Sequence, residues 1–214
     1  MQMHDQAYPN DFERTVTMSA QSIFEILGVE LPTGSVRDAA LIVIDAQEEY
    51  RSGRLKLSGL EPALDNVARL IAHWRAQNGT LIHIQHHGQG LFDPEGPYAA
   101  IMNEVAPHEG EPVLTKNVPN AFGGTNLGDL IDQAGLKHVV LAGFMTHVCV
   151  STTARSANEQ GLQVTIAGDA VTTRDLPATA DHATIPAAEL HRAELAILAD
   201  AFAKIVTTDD VLKA

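Results

Sequence analysis

HVVLAGFMTHVCVSTTARSA, residues 138–157, changes character in its middle. Its first seven residues form an apolar, partly β-branched run, as in a strand buried on both faces. From Val148 or Cys149 onward the pattern is helical. A buried strand that passes into a helix after a short connection is one half of a parallel βα unit. The same stretch holds the only cysteine in the chain, and Arg155 follows it six positions later.

Similar short runs recur on both sides of it. ALIVID (40–45), TLIHIQ (80–85), PVLTK (112–116), QVTIAG (163–168) and KIVTT (204–208) all read as strands. Between them lie helical patterns, such as Leu64, Val67, Ala68, Ile71 and Trp74 along one face, with a stop at Asn78-Gly79, where a glycine can turn left-handed. Strands alternating with helices predict an α/β fold with a parallel sheet. Residues 1–37 read as an N-terminal extension, polar and then SAQSIFEILGV, a short helix packed on the body or on a neighbouring subunit. The domain proper spans 38–214.

Composition narrows the function classes. With 214 residues, 45% of them hydrophobic, the chain can bury a substantial core. Its 14 basic against 27 acidic residues leave a formal charge of −13, which opposes a phosphate backbone and argues against nucleic acid as a partner. One cysteine forms no internal disulfide, the opening residues lack a signal-peptide pattern, and no apolar run reaches membrane-spanning length. A cytoplasmic protein with no membrane partner is expected.

In an open parallel sheet, ligands collect beyond the carboxyl ends of the strands, near the point where strand order reverses. The first run ends in Asp45, the third in Lys116, and Cys149 follows the fourth. Taken alone, each residue has an ordinary explanation: a turn cap, a solvated strand end, a small buried hydrophobe. Taken together, they place an acid, an ammonium and a thiol on one edge. A thiol at a helix start beside a lysine is biased toward thiolate, and a carboxylate nearby can take or return its proton.

LIVIDAQEEY (41–50), EPVLTKNVPNAFGGTNLGDLI (111–131) and VVLAGFMTHVCVSTTARSANEQG (139–161) resemble the three signature regions of the isochorismatase-like cysteine hydrolases. The resemblance extends through GDAVTTRDLP (168–177) and HRAELAILADAFAKIVTT (191–208). It implies a six-stranded parallel sheet flanked by helices, a homo-oligomer, and Asp45, Lys116 and Cys149 as the catalytic three. It also implies an oxyanion hole from the backbone N–H groups of Met145 and Cys149, and a cis peptide between Phe144 and Met145. One such donor is worth about 3 kcal/mol of barrier. The activity implied is hydrolysis of a small amide or lactam through a thioester, with vinyl-ether hydrolysis as the alternative.

Two other readings compete. Cys149 to Arg155-Ser156 has the Cys-x5-Arg-Ser spacing of cysteine phosphatases, but no glycine lies between them, and Val150, Thr152 and Thr153 are too stiff for a phosphate-cradling loop. A non-catalytic binding domain would leave the thiol unused. Residues 46–66 contain no histidine, which disfavours a nicotinamidase-type metal site. His83, His86 and His87 read as polar pocket or surface groups, so neither metal nor cofactor is expected. Gln47, Tyr50, Phe92, Phe122 and His147 are the candidates for substrate contact, being near the catalytic positions or in the covering loop 86–111.

Overall fold

The computed structural model describes residues 20–179 and 183–214; the remainder of the N-terminal extension lies outside these residues. Six strands form one sheet: β1 (Ala39–Ile44), β2 (Leu81–His86), β3 (Val113–Lys116), β4 (His138–Phe144), β5 (Gln163–Thr172) and β6 (Lys204–Val206). All pairings are parallel, in the order β3-β2-β1-β4-β5-β6. Successive strands step outward from β1 in one direction and from β4 in the other. The crevice between β1 and β4 is therefore the switch point, and Asp45 and Cys149 follow the strands that flank it.

The alternation of side chains along β1 builds two cores. Leu41 and Val43 face a layer with Leu64, Val67, Ile71 and Trp74 of α2 (Leu60–Ala76) and Val211 of α6 (Thr208–Lys213). Ala40, Ile42 and Ile44 face the other layer, with residues of α3 (Leu127–Gln133), α4 (Ser151–Glu159) and α5 (Ala187–Ala201). A fully buried side chain of this size contributes roughly 1.5–3 kcal/mol, and β1 is buried along its whole length. The edge strands β3 and β6 are only partly covered, unlike the expectation of burial throughout, because each has a neighbour on one side.

Several boundaries moved for local reasons. β5 extends four residues past the expected end, to Thr172. β6 stops at Val206, because Thr207 caps α6 in a reciprocal box with Asp210. At the end of α2 the left-handed residue is Asn78 (φ 54°), not Gly79. Gly79 is needed for space instead: a Cβ there would lie 2.5 Å from Val36 and 2.6 Å from Trp74. The short helix α1 (Ile23–Leu27) forms within the predicted segment, capped by Ser22 and Glu25 and stopped by Gly28. It leans on α5 through the Ile23 N–H, which donates to Asp200 at 2.9 Å. No helix among the described residues is long and apolar enough to cross a membrane.

Candidate active site

Asp45 follows directly on β1, and its backbone is left-handed (φ 48°), a conformation uncommon outside glycine. Its N–H donates to the carbonyl of Ile84 on β2 at 2.9 Å, which ties the turn to the sheet. Lys116 ends β3, and its register partner on β2 is His86. Cys149 lies in a π-helical turn, Thr146–Val150, that joins β4 to α4, where Val150 N–H reaches back to the Met145 carbonyl. Helical structure thus begins two to three residues before the expected start, and a wide turn of this kind is a recurrent feature of functional sites. The Phe144–Met145 peptide is cis.

These elements bring together residues 71 and 33 positions apart in sequence. The Lys116 ammonium donates to Asp45 Oδ2 at 2.7 Å, to His86 Nδ1 at 3.0 Å and to Cys149 Sγ at 3.4 Å. A lysine has three N–H donors, and all three are used here. Asp45, Lys116 and Cys149 are buried, whereas His86 is half-buried. Asp45 Oδ1 is buried with no hydrogen-bond partner among the described residues.

Burial governs the protonation of the group. The Cys149 thiol is pushed well above its ordinary range, first by loss of water and then by the Asp45 carboxylate, and Lys116 only partly offsets this. The expectation of a resting thiolate is therefore corrected: at a helix start in water the lysine would dominate, but in this buried setting desolvation does. Asp45 is also raised by burial, against the pull of Lys116. His86 is held neutral, pushed down to about 4 by burial and then by Lys116 and His87.

The substrate candidates divide. Gln47 has no amide hydrogen left over: Nε2 donates to the carbonyls of His86 (2.9 Å) and Ala99 (2.6 Å), and Oε1 accepts from the His86 N–H at 2.8 Å. It ties the segment after β1 to the end of β2 and to Ala99, which sequence could not show because its partners lie 39 and 52 residues away. Tyr50 is 1% exposed and stacks edge-on against Phe92 and Phe144, at 5.1 and 5.9 Å between ring centres. Phe92, with a left-handed backbone, also touches the His86 ring at 5.2 Å. Phe122 and His147 are half-buried, and His147 Nδ1 is 2.5 Å from Thr173 Oγ1.

Two residues were read differently or missed. His86, set aside as a pocket or surface group, is a direct partner of Lys116. Arg174, after β5, was not singled out at all; its Nε is buried with no partner among the described residues, and its charge bears on Tyr50 and His147. A cluster of three potential metal ligands does exist, since an Asp45 oxygen, a His86 nitrogen and Cys149 Sγ lie within 4.8 Å of one another. The Lys116 ammonium already bonds to all three side chains, so a metal ion would have to displace a cation. His83, for its part, pairs with Glu111 at 3.1 Å, away from this cluster.

Arg155 takes no part in an anion-binding loop. It pairs with Glu194 of α5 at 3.2 Å, donates to Ser151, and lies 4.4 Å over the Phe202 ring. The phosphatase spacing is a by-product of helix packing.

Known proteins resemble this chain over most of its length. The model of the isochorismatase domain matches residues 39–210. A secreted isochorismatase effector of Verticillium dahliae is 40% identical over 193 residues, covering 89% of this chain and 98% of that one. The crystal structure of an isochorismatase from Pseudomonas putida superposes with a TM-score of 0.85 at 41% identity, covering 90% of this chain and 99% of that one. A more distant relative, the maleamate amidohydrolase of Pseudomonas putida, is 26% identical over 84% of this chain and 88% of its own length. With the parallel sheet, the switch-point crevice and the domain match in agreement, this chain belongs to the isochorismatase family and is a hydrolase of that family.

Proposed function

We propose that the chain hydrolyses a C–N bond of a small amide or lactam, with Cys149 as nucleophile, Asp45 as proton carrier and Lys116 as the fixed cation between them. The observation that carries this reading is the single ammonium bonded to both the carboxylate and the sulfur. The Sγ proton passes to Asp45 and the sulfur attacks the carbonyl carbon. The displaced π electrons move to oxygen, where the Met145 and Cys149 N–H groups receive the charge. The C–N bond then breaks and the departing amine takes the proton from Asp45. Water attacks the thioester, loses a proton to Asp45, and the released sulfur recovers it. The products are a carboxylic acid and an amine or ammonia.

The electrostatics support this sequence. Carboxylate, ammonium and thiol sum to zero charge, and so do carboxylic acid, ammonium and thiolate. Moving the proton within the cluster exposes no new net charge to the low-dielectric interior, whereas losing it to solvent would. An unreactive resting thiol that is activated only by internal transfer suits a nucleophile facing one substrate at a time.

Phe92, Phe122 and His147 are part of the proposal as pocket walls, and Arg174, whose Nη1 donates to the Asp175 carbonyl while its buried Nε has no partner among the described residues, favours including anionic substrates. The test is a panel of small amides and lactams, with and without a carboxylate, together with nicotinamide, a vinyl ether and a phosphate ester. Release of amine or ammonia that vanishes in Cys149→Ala supports the proposal. Vinyl-ether cleavage surviving in that variant replaces it with the ether reaction. The same reading includes a cytoplasmic homo-oligomer; exposed Ile26 and Leu27 on α1, each 68% accessible, support a self-contact. Light scattering and cell fractionation check these two points, the second because one relative is called secreted.

A further inference from the structure

We propose that His86 is a positioning residue that fixes the Lys116 ammonium, so that one of its protons points at Cys149. The inference rests on the proposed nucleophilic role of Cys149. Lysine can only donate, so the 3.0 Å contact makes His86 Nδ1 the acceptor and puts the ring hydrogen on Nε2. Without that acceptor the ammonium would keep one bond to Asp45 and one long bond to sulfur, and its third proton would seek another partner by rotation. The imidazole itself is not free to follow. Gln47 holds its backbone at both N–H and C=O, and the Phe92 ring packs 5.2 Å from it.

The arrangement needs a neutral ring. The groups facing His86 are Lys116 on β3, Asp45 after β1, Cys149 in the π-helical turn and His87 on its own segment. A protonated ring would present a second cation to Lys116 and lose its acceptor. The histidine is thus the one arm of the cage whose bond to Lys116 disappears on protonation without loss of the carboxylate or thiol.

The test compares His86→Leu, His86→Asn and His86→Gln. Asparagine carries an acceptor near the Nδ1 position, and glutamine carries one a bond farther out. Turnover of a hydrolysed amide from the panel and the pH profile of Cys149 alkylation by iodoacetamide are both measured, with melting temperature as the folding control. The Leu and Gln variants should lose about tenfold to a hundredfold in kcat, the scale of one hydrogen bond to a charged group, with KM nearly unchanged. Their alkylation should slow at each pH, because the cation is no longer held at the sulfur. Asn should recover most of both. Equal behaviour of Asn and Gln, or lowered turnover with an unchanged alkylation profile, would overturn the proposal. Alkylation needs no substrate, so the result stands apart from the activity itself: if Cys149→Ala still turns over, the proposed function fails, whatever His86 does.

Discussion

Asp45 has one oxygen held by Lys116 and the other, Oδ1, buried without a hydrogen-bond partner among the described residues. An orphaned buried carboxylate oxygen is costly unless a proton or substrate visits it, and the proposed proton carrier has that need. The Asp45 charge is also the second cause of the raised Cys149 thiol, after burial. Asp45→Asn should therefore separate two properties that usually fall together. Turnover should be abolished, because no base remains. Iodoacetamide should nevertheless modify Cys149 faster than in the parent at pH 7, by about tenfold for each unit the thiol falls. In the parent, alkylation should still be climbing above pH 9, since the thiol lies above its ordinary value. Slower alkylation in Asp45→Asn would sink this account. The cage around Lys116 Nζ also predicts that turnover survives exhaustive EDTA treatment; loss with recovery on added zinc would show that the three clustered ligands do hold a metal.

At the scale of elements, the close approach of β4 to β1 depends on Gly143. Its φ is +113°, and a Cβ there would fall 2.1 Å from the Ile44 carbonyl oxygen and 2.7 Å from the Ile44 nitrogen. Ile44 directly precedes Asp45, so no side chain at position 143 can be fitted without moving the carboxylate. Gly143→Ala should cost about 3 kcal/mol or more, a Tm drop of about 6–12 °C for a chain of this size, with activity lost in whatever folds. The α4–α5 contact makes the opposite prediction. Arg155 bonds to Glu194, which is 13% exposed, and covers the Phe202 ring. Arg155→Ala should lower Tm by a few degrees and leave hydrolysis near the parent value. A loss of phosphate-ester cleavage in that variant would instead restore the phosphatase reading.

Over the whole molecule, the acid sensitivity has an identifiable contributor at the other end of the sheet. Glu111 accepts from Arg75 at 2.7 and 2.8 Å, from His83 and from the His108 N–H, joining the segment before β3 to α2 and β2. The Arg75 guanidinium is the main cause holding its carboxyl down to about 2, below the ordinary 4.5. A depressed folded-state value means that its contribution is present above 4.5 and is lost as pH falls toward 2. Glu111→Gln should lower Tm at pH 7 and flatten the dependence of Tm on pH within that window. An unchanged slope would show that other carboxylates control acid unfolding.

The amino-acid sequence alone determined the layered α/β architecture. The apolar runs, the face of α2 and the residues ending β1 and β3 are local patterns, and a parallel sheet follows from their alternation. Asp45, Lys116 and Cys149 were legible because strand ends share one edge whatever the loops do, and the three signature stretches carried the family resemblance. Protonation was not legible. The thiol's state depends on water excluded by residues far along the chain, and desolvation reverses what the lysine would do in the open. The partners of Gln47 and His86 were not legible for a related reason. An amide or imidazole beside a site reads the same whether it faces substrate or is saturated by distant backbone, and only the register of β2 against β1 and β3 decides which partners it meets.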